Sequence, residues 1–171
     1  MASEAERCEE GCAFVWDAID PNEIGARIRK GAADIAHLIE IGSVTDVRLS
    51  QEVWSPLEYA GHVRDVLFNL RDRLVVALNE DNPLCKGLFG TPRIELGLYR
   101  GDSSALVAQE LQTAASLFAR TWERIPEGLR SRTMVYGYPR LADRSLTWVA
   151  AQALHEVEHH LEDVKAGLGA S

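Results

Sequence analysis

The sequence predicts an all-α protein, a four-helix bundle with long connections after its second and third helices. Three observations carry this expectation. Four long segments place apolar residues at helical spacing. No stretch alternates apolar and polar residues over any length, as a half-buried strand would. Helix-start residues stand in front of the periodic segments. Four such helices bury their stripes most simply against one another.

Residues 1–20 form a weakly patterned N-terminal arm, with Phe14, Val15, Trp16 and Ile19 available for packing. Cys8 and Cys12 lie four apart in this arm, the spacing of a metal or redox pair if the segment were helical. The plainer reading is a loosely ordered arm carrying free thiols. A single domain then spans residues 21–171. Its first helix runs from Glu23 to Ile41 with Ile24, Ile28, Ala32, Ile35, Leu38 and Ile39 on one stripe, closed by Gly42-Ser43. His37 falls off that stripe and reads as a surface histidine.

The second helix opens on Ser55-Pro56 with Glu58 three residues after the cap, a capping box with proline at the first helical position. Tyr59, Val63, Val66, Leu67, Leu70, Leu74, Ala77 and Leu78 carry its stripe to about Asn79. His62 stands at the stripe's edge, roughly 100° from its middle. Residues 79–101 hold Pro83, Pro92, Gly87 and Gly90 and read as a long connection with a short helical piece. Asp102-Ser103-Ser104 caps the third helix, Ala105 to Ile125, with Leu106, Leu111, Ala114, Leu117, Phe118 and Trp122 inward. After it, Thr133–Tyr136 is a short extended piece ended by Gly137-Tyr138-Pro139. Cys85 reads as an ordinary loop residue.

The last helix, Ser145 to Ala166, carries three of the five histidines within His155–Val164. Leu154, Val157, Leu161, Val164 and Leu168 mark its core face. Glu156 and His160 fall roughly 80–120° from that stripe, and His155 and His159 roughly 140–180°. Residues four apart share a helix face, so these two pairs, and His159 with Asp163, are candidate ligand pairs. Glu156 and His160 stand toward the core edge, as His62 does on its own helix. Two histidines and one carboxylate suit a divalent metal that keeps open positions, and a surface helix pair is the alternative. His155-Glu156-Val157-Glu158-His159 also matches the zinc-peptidase pattern H-E-x-x-H, but only twelve residues follow to supply a third ligand.

Composition bounds the partners. A net charge of -8 argues against a nucleic-acid surface, which would need a basic face. The arginines at 64, 71 and 73, and at 124, 130 and 132, read as solvated faces and interhelical pairing. No apolar run approaches the roughly 20 residues of a membrane span, and the acidic N-terminus does not read as a signal peptide. Three cysteines do not make a disulfide framework, so the expected compartment is the cytoplasm.

The stretch Trp54-Ser55-Pro56-Leu57-Glu58-Tyr59-Ala60-Gly61-His62-Val63-Arg64-Asp65 resembles the second-helix motif of DinB-like proteins. His155 to Val164 resembles their last-helix motif. It is similar to the mycothiol-dependent maleylpyruvate isomerases, where a Glu-x-x-x-His pair is followed three residues on by Asp; here these are Glu156, His160 and Asp163. The resemblance implies a zinc- or nickel-type ion held by His62, Glu156 and His160. It also implies a low-molecular-weight thiol cosubstrate, such as mycothiol or bacillithiol, that the metal deprotonates for S-transfer to an electrophile or for isomerisation. Asp163 would orient His160, and Asp65 would do the same for His62. Two functional classes stay open: a metal-dependent thiol transferase or isomerase, and a non-catalytic, metal-binding or homodimerising stress-related bundle. In either case His155 and His159 are expected to face solvent or to stand behind the ligands.

Overall fold

The computed structural model describes residues 6–9 and 11–169. Four long helices form the body: α1 (Ile24–Ile41), α2 (Pro56–Asn79), α4 (Ser104–Arg124) and α5 (Leu146–Leu168), with a short α3 (Gly90–Glu95) in the second connection. Among the described residues no helix is long and apolar enough to cross a membrane.

The helices begin where their caps dictate. Ser55 Oγ accepts from the Glu58 amide at 3.2 Å while Glu58 Oε2 accepts from the Ser55 amide at 2.9 Å. This reciprocal box satisfies two otherwise orphaned donors. Glu58 is further pinned by both arms of Arg48 at 2.7 Å. Ser103 and Ser145 cap α4 and α5 through the amides of Leu106 and Trp148.

α1 and α2 each pack against both α4 and α5 and touch one another only slightly. α1 and α2 therefore occupy opposite corners of the bundle, and the crossing segment 42–55 runs over its end. Trp122, Phe118, Ile24, Ile28, Ile35, Ile39, Leu67, Leu70 and Leu74 fill the centre. At the α1–α5 crossing a Cβ on Gly31 would lie 2.5 Å from Val157 Cγ1, so glycine permits the close approach.

One expectation is borne out and extended, and three are corrected. The extended piece Thr133–Tyr136 is β1 of an antiparallel hairpin with β2 (Ala142–Ser145), in the register Thr133–Ser145 to Tyr136–Ala142. Leu106 is exposed and Val107 takes the inward position, because Val107 lies four residues before Leu111 on the face that Ala115, Phe118 and Trp122 continue. α5 runs on to Leu168 and ends at Gly169, whose φ of 66° is the left-handed cap conformation that glycine favours. The N-terminal segment is packed onto α5: Trp16 is 4% exposed and stacks on Trp148 at 5.6 Å. Glu6 receives both guanidinium arms of Arg144 at 2.6 and 2.8 Å.

The Gly31 contact makes a prediction. Alanine there gains about 1 kcal/mol in helix propensity but drives a methyl group into a β-branched neighbour, which costs about 1–3 kcal/mol. Gly31→Ala is expected to lower stability by up to about 2 kcal/mol in urea unfolding. Unchanged or raised stability would mean that α1 and α5 are less closely packed.

Candidate metal centre

His62 lies on α2 and Glu156 and His160 lie one turn apart on α5. The crossing of these two helices brings the three side chains together. Glu156 Oε2 is 3.2 Å from His62 Nε2 and 3.3 Å from His160 Nε2. One donor atom from each residue lies within 4.8 Å of the others, a grouping able to hold a metal ion.

The surroundings orient these donors. Asp163 Oδ2 is 2.7 Å from His160 Nδ1. A proton held on Nδ1 by that carboxylate leaves Nε2 as the nitrogen that faces Glu156 and would serve as the ligand once it gives up its proton. Gln152 Nε2 donates to the other Glu156 oxygen, Oε1, at 2.7 Å. The Trp54 ring meets His62 edge-on at 5.2 Å, and Tyr59 stacks on His160 at 5.2 Å. Phe89 adopts a left-handed backbone (φ 59°, ψ 49°) that turns the chain into α3 directly over His62. A Cβ at the next residue, Gly90, would stand 2.9 Å from His62 Nδ1, so only glycine passes there without displacing the ring. That nitrogen is buried and has no hydrogen-bond partner.

Charge follows geometry. Burial alone would raise the Glu156 pKa, but hydrogen bonds and positive charge from His160 and His62 outweigh it and hold the carboxylate well below its usual range. Burial alone would lower the His160 pKa; hydrogen bonds and charge from Asp163 and Glu156 reverse this and lift it to about 9. The metal-free cluster is thus an ion pair whose proton sits where a cation would sit. Two imidazoles and a carboxylate form a donor set that suits zinc and leaves coordination positions for small molecules.

The cluster borders a cavity of about 310 Å³, of which His62 and Glu156 form part of the wall. Val66, Leu70 and Leu88 supply apolar surface, and Asn69, Arg73, Tyr136 and Tyr138 supply polar groups. The hairpin and the 80–101 connection close it jointly. Val135 donates its amide to Pro83 O at 3.0 Å and accepts from the Cys85 amide at 2.9 Å. Cys85 is correspondingly buried against Met134, with its sulfur 3.1 Å from the methionine sulfur. Burial, then the Glu156 charge, pushes the Tyr136 hydroxyl pKa upward, so Tyr136 stays a donor at neutral pH.

Several sequence expectations need revision here. Asp65 does not reach His62; it accepts from Arg93 at 2.7 Å and Tyr99 at 2.8 Å, tying α3 and the loop after it to α2. His155 does not face solvent. It is 2% exposed, with Phe14 at 5.1 Å and Trp16 at 4.9 Å, because the N-terminal segment covers that side of α5. His155 and His159 therefore stand on the neighbouring face of α5, under the N-terminal segment, while Glu156 groups with His62 and His160, which does not fit the H-E-x-x-H reading. His37 is exposed, as expected. Arg73, read from the sequence as part of a solvated face, instead lines the cavity, and Gln152 and Tyr136 reach the site through contacts distant in the chain.

The fold is that of a DinB-type helical bundle. A family model described as the DinB superfamily matches residues 15–164, and the chain belongs to that superfamily. A search of curated proteins finds no match. The chain is also similar to the solved structure of YfiT from Bacillus subtilis, described as a probable metal-dependent hydrolase with an unusual four-helix bundle topology. The two share 13% sequence identity at a TM-score of 0.79, over 98% of this chain and 95% of that one. At that identity the likeness is one of fold.

The raised His160 pKa makes the site's metal affinity pH-dependent. A ligand imidazole must give up its Nε2 proton, and below about pH 9 in the metal-free protein that proton is present. Apparent zinc affinity is expected to rise about tenfold per pH unit between pH 7 and 9 and then flatten. Competition with a chromogenic chelator measures it, and a flat profile over that range would refute the ion-pair picture.

Proposed function

We propose that this protein is a metal-dependent enzyme acting on small molecules, with His62, Glu156 and His160 holding a divalent ion, zinc first and nickel second. On this reading it is a thiol S-transferase or isomerase, with a mycothiol-type thiol as cosubstrate and a small electrophile as its partner in the reaction. The observation that carries the proposal is the shared wall: His62 and Glu156 belong both to the three-donor cluster and to the lining of the cavity. An ion bound there would supply Lewis acidity that ionises a thiol or polarises an oxygen at neutral pH.

The chain's own residues perform the remaining tasks. Arg73 lines the cavity with a permanent charge suited to a carboxylate on the substrate, and its guanidinium is steadied by donation to Lys86 O. Tyr136 offers a hydroxyl that keeps its proton. Val66, Leu70 and Leu88 exclude water from the reacting centre. Asp163 acts through His160, and Gln152 acts through Glu156.

A second reading is a metal-dependent hydrolase, favoured by the open three-donor set and by the description of YfiT. The two separate by dependence on thiol. A transferase or isomerase turns over only with a low-molecular-weight thiol present, whereas a hydrolase cleaves esters or amides without one. Metal binding with neither activity would leave the non-catalytic bundle.

His62→Ala and His160→Ala are each expected to abolish metal binding at this site and all activity while the helical circular dichroism is kept. Asp163→Asn is expected to weaken the metal about 10–100-fold, as loss of an orienting carboxylate does. Elemental analysis after zinc loading and chelator washing decides. Full retention of metal in His62→Ala would sink the assignment.

A further inference from the structure

The other histidine pair of α5 meets the two cysteines of the N-terminal segment. Donor atoms of Cys8, Cys12, His155 and His159 all lie within 4.8 Å of one another. Cys8 Sγ is 3.3 Å from His155 Nε2. Around tetrahedral zinc, bonds of ~2.3 Å to sulfur and ~2.0–2.1 Å to nitrogen put neighbouring donors roughly 3.3–3.8 Å apart. The Cys8–His155 pair already has that separation, and no other pair in the set exceeds it by more than about an ångström.

The cluster is held from both sides. Before it, Glu6 binds Arg144 through both oxygens and accepts from Trp148 Nε1 at 3.1 Å. Within it, the Cys8 amide donates to Phe14 O at 3.0 Å, closing the loop that carries both cysteines, and Arg7 pairs with Val15. After it, Phe14 and Trp16 pack on His155. One competing partner for His159 stands on α5 itself. Its Nε2 lies 3.7 Å from Asp163 Oδ2, beyond hydrogen-bond length, and that oxygen is engaged by His160 at 2.7 Å.

We propose that Cys8, Cys12, His155 and His159 form a second metal site, a structural zinc centre that fastens the N-terminal segment to α5. Two thiolates and two imidazoles select a soft-to-borderline ion such as zinc over magnesium or calcium. Four protein donors complete a tetrahedron and leave no position for substrate, which separates this centre from the three-donor cluster. Its consequence reaches that cluster through one chain of hydrogen bonds. Trp16 Nε1, in the fastened segment, donates to Gln152 Oε1 at 2.8 Å, and Gln152 Nε2 donates to Glu156 Oε1 at 2.7 Å. The structural ion would thereby help fix the orientation of a carboxylate on the neighbouring face of the same helix.

The test uses the full chain, purified with reductant and loaded with zinc or with cobalt(II). Wild type is expected to retain two equivalents per chain, and the cobalt form to show thiolate-to-cobalt charge-transfer absorption in the near ultraviolet. Cys8→Ser/Cys12→Ser is expected to lose that absorption and one equivalent. His62→Ala/His160→Ala is expected to lose the other equivalent and keep the absorption. Wild-type cobalt protein without charge transfer overturns the proposal even if the cysteine variant fails to fold, and so does absorption that survives the two serine substitutions. Loss of the proposed catalytic site alone would leave the charge-transfer signal standing, so the two assignments fail separately.

Discussion

A largely buried carboxylate imposes the central constraint on this molecule. Glu156 sits where two helices cross, and an unpaired charge there would be strongly destabilising. Its two oxygens are met by His62, His160 and Gln152, from two helices, and His160 is steadied in turn by Asp163. The α2–α5 crossing has to be the one that supplies these partners. The capping box at Ser55 contributes from a distance, since it sets where α2 begins and so where His62 falls along it.

α5 is an unusual helix for a bundle because it is occupied on more than its apolar stripe. Leu154, Val157 and Val164 face the centre. The Glu156 and His160 face meets α2 and the cavity, and the His155 and His159 face meets the N-terminal segment. A helix with polar residues on two flanks would normally expose them. Here each flank is covered by a separate element, and Gln152 bridges the two by accepting from Trp16 and donating to Glu156.

The connections close the cavity rather than merely join the helices. Residues 80–101 and the β-hairpin pair through Leu84 and Val135, which brings Tyr136 and Phe89 to the rim. Asp65, whose motif position suggests a role at the site, instead anchors Arg93 and Tyr99 and so keeps the α3 region seated on α2. The left-handed Phe89 and the glycine after it then let that backbone pass against the His62 ring. Positioning of the first histidine thus depends on a loop as well as on its own helix.

What the sequence determined was local. Helix periodicity, the Ser55–Glu58 box and the serine caps of α4 and α5 are read from residues within a turn of one another, and these elements appear within one or two residues of where the pattern puts them. The four-residue spacing likewise marks Glu156 with His160, and His155 with His159, as pairs on two neighbouring faces of α5. Which partner each face receives was decided by tertiary structure. His155 looks solvent-facing on a helical wheel because the wheel contains only its own helix; residues about 140 positions away bury it. The diagonal placement of α1 and α2, the pairing of Asp65 with the α3 region and the inward turn of Val107 in place of Leu106 have the same origin. Each depends on contacts between distant segments, and a periodic pattern records which face is apolar without recording what will cover it.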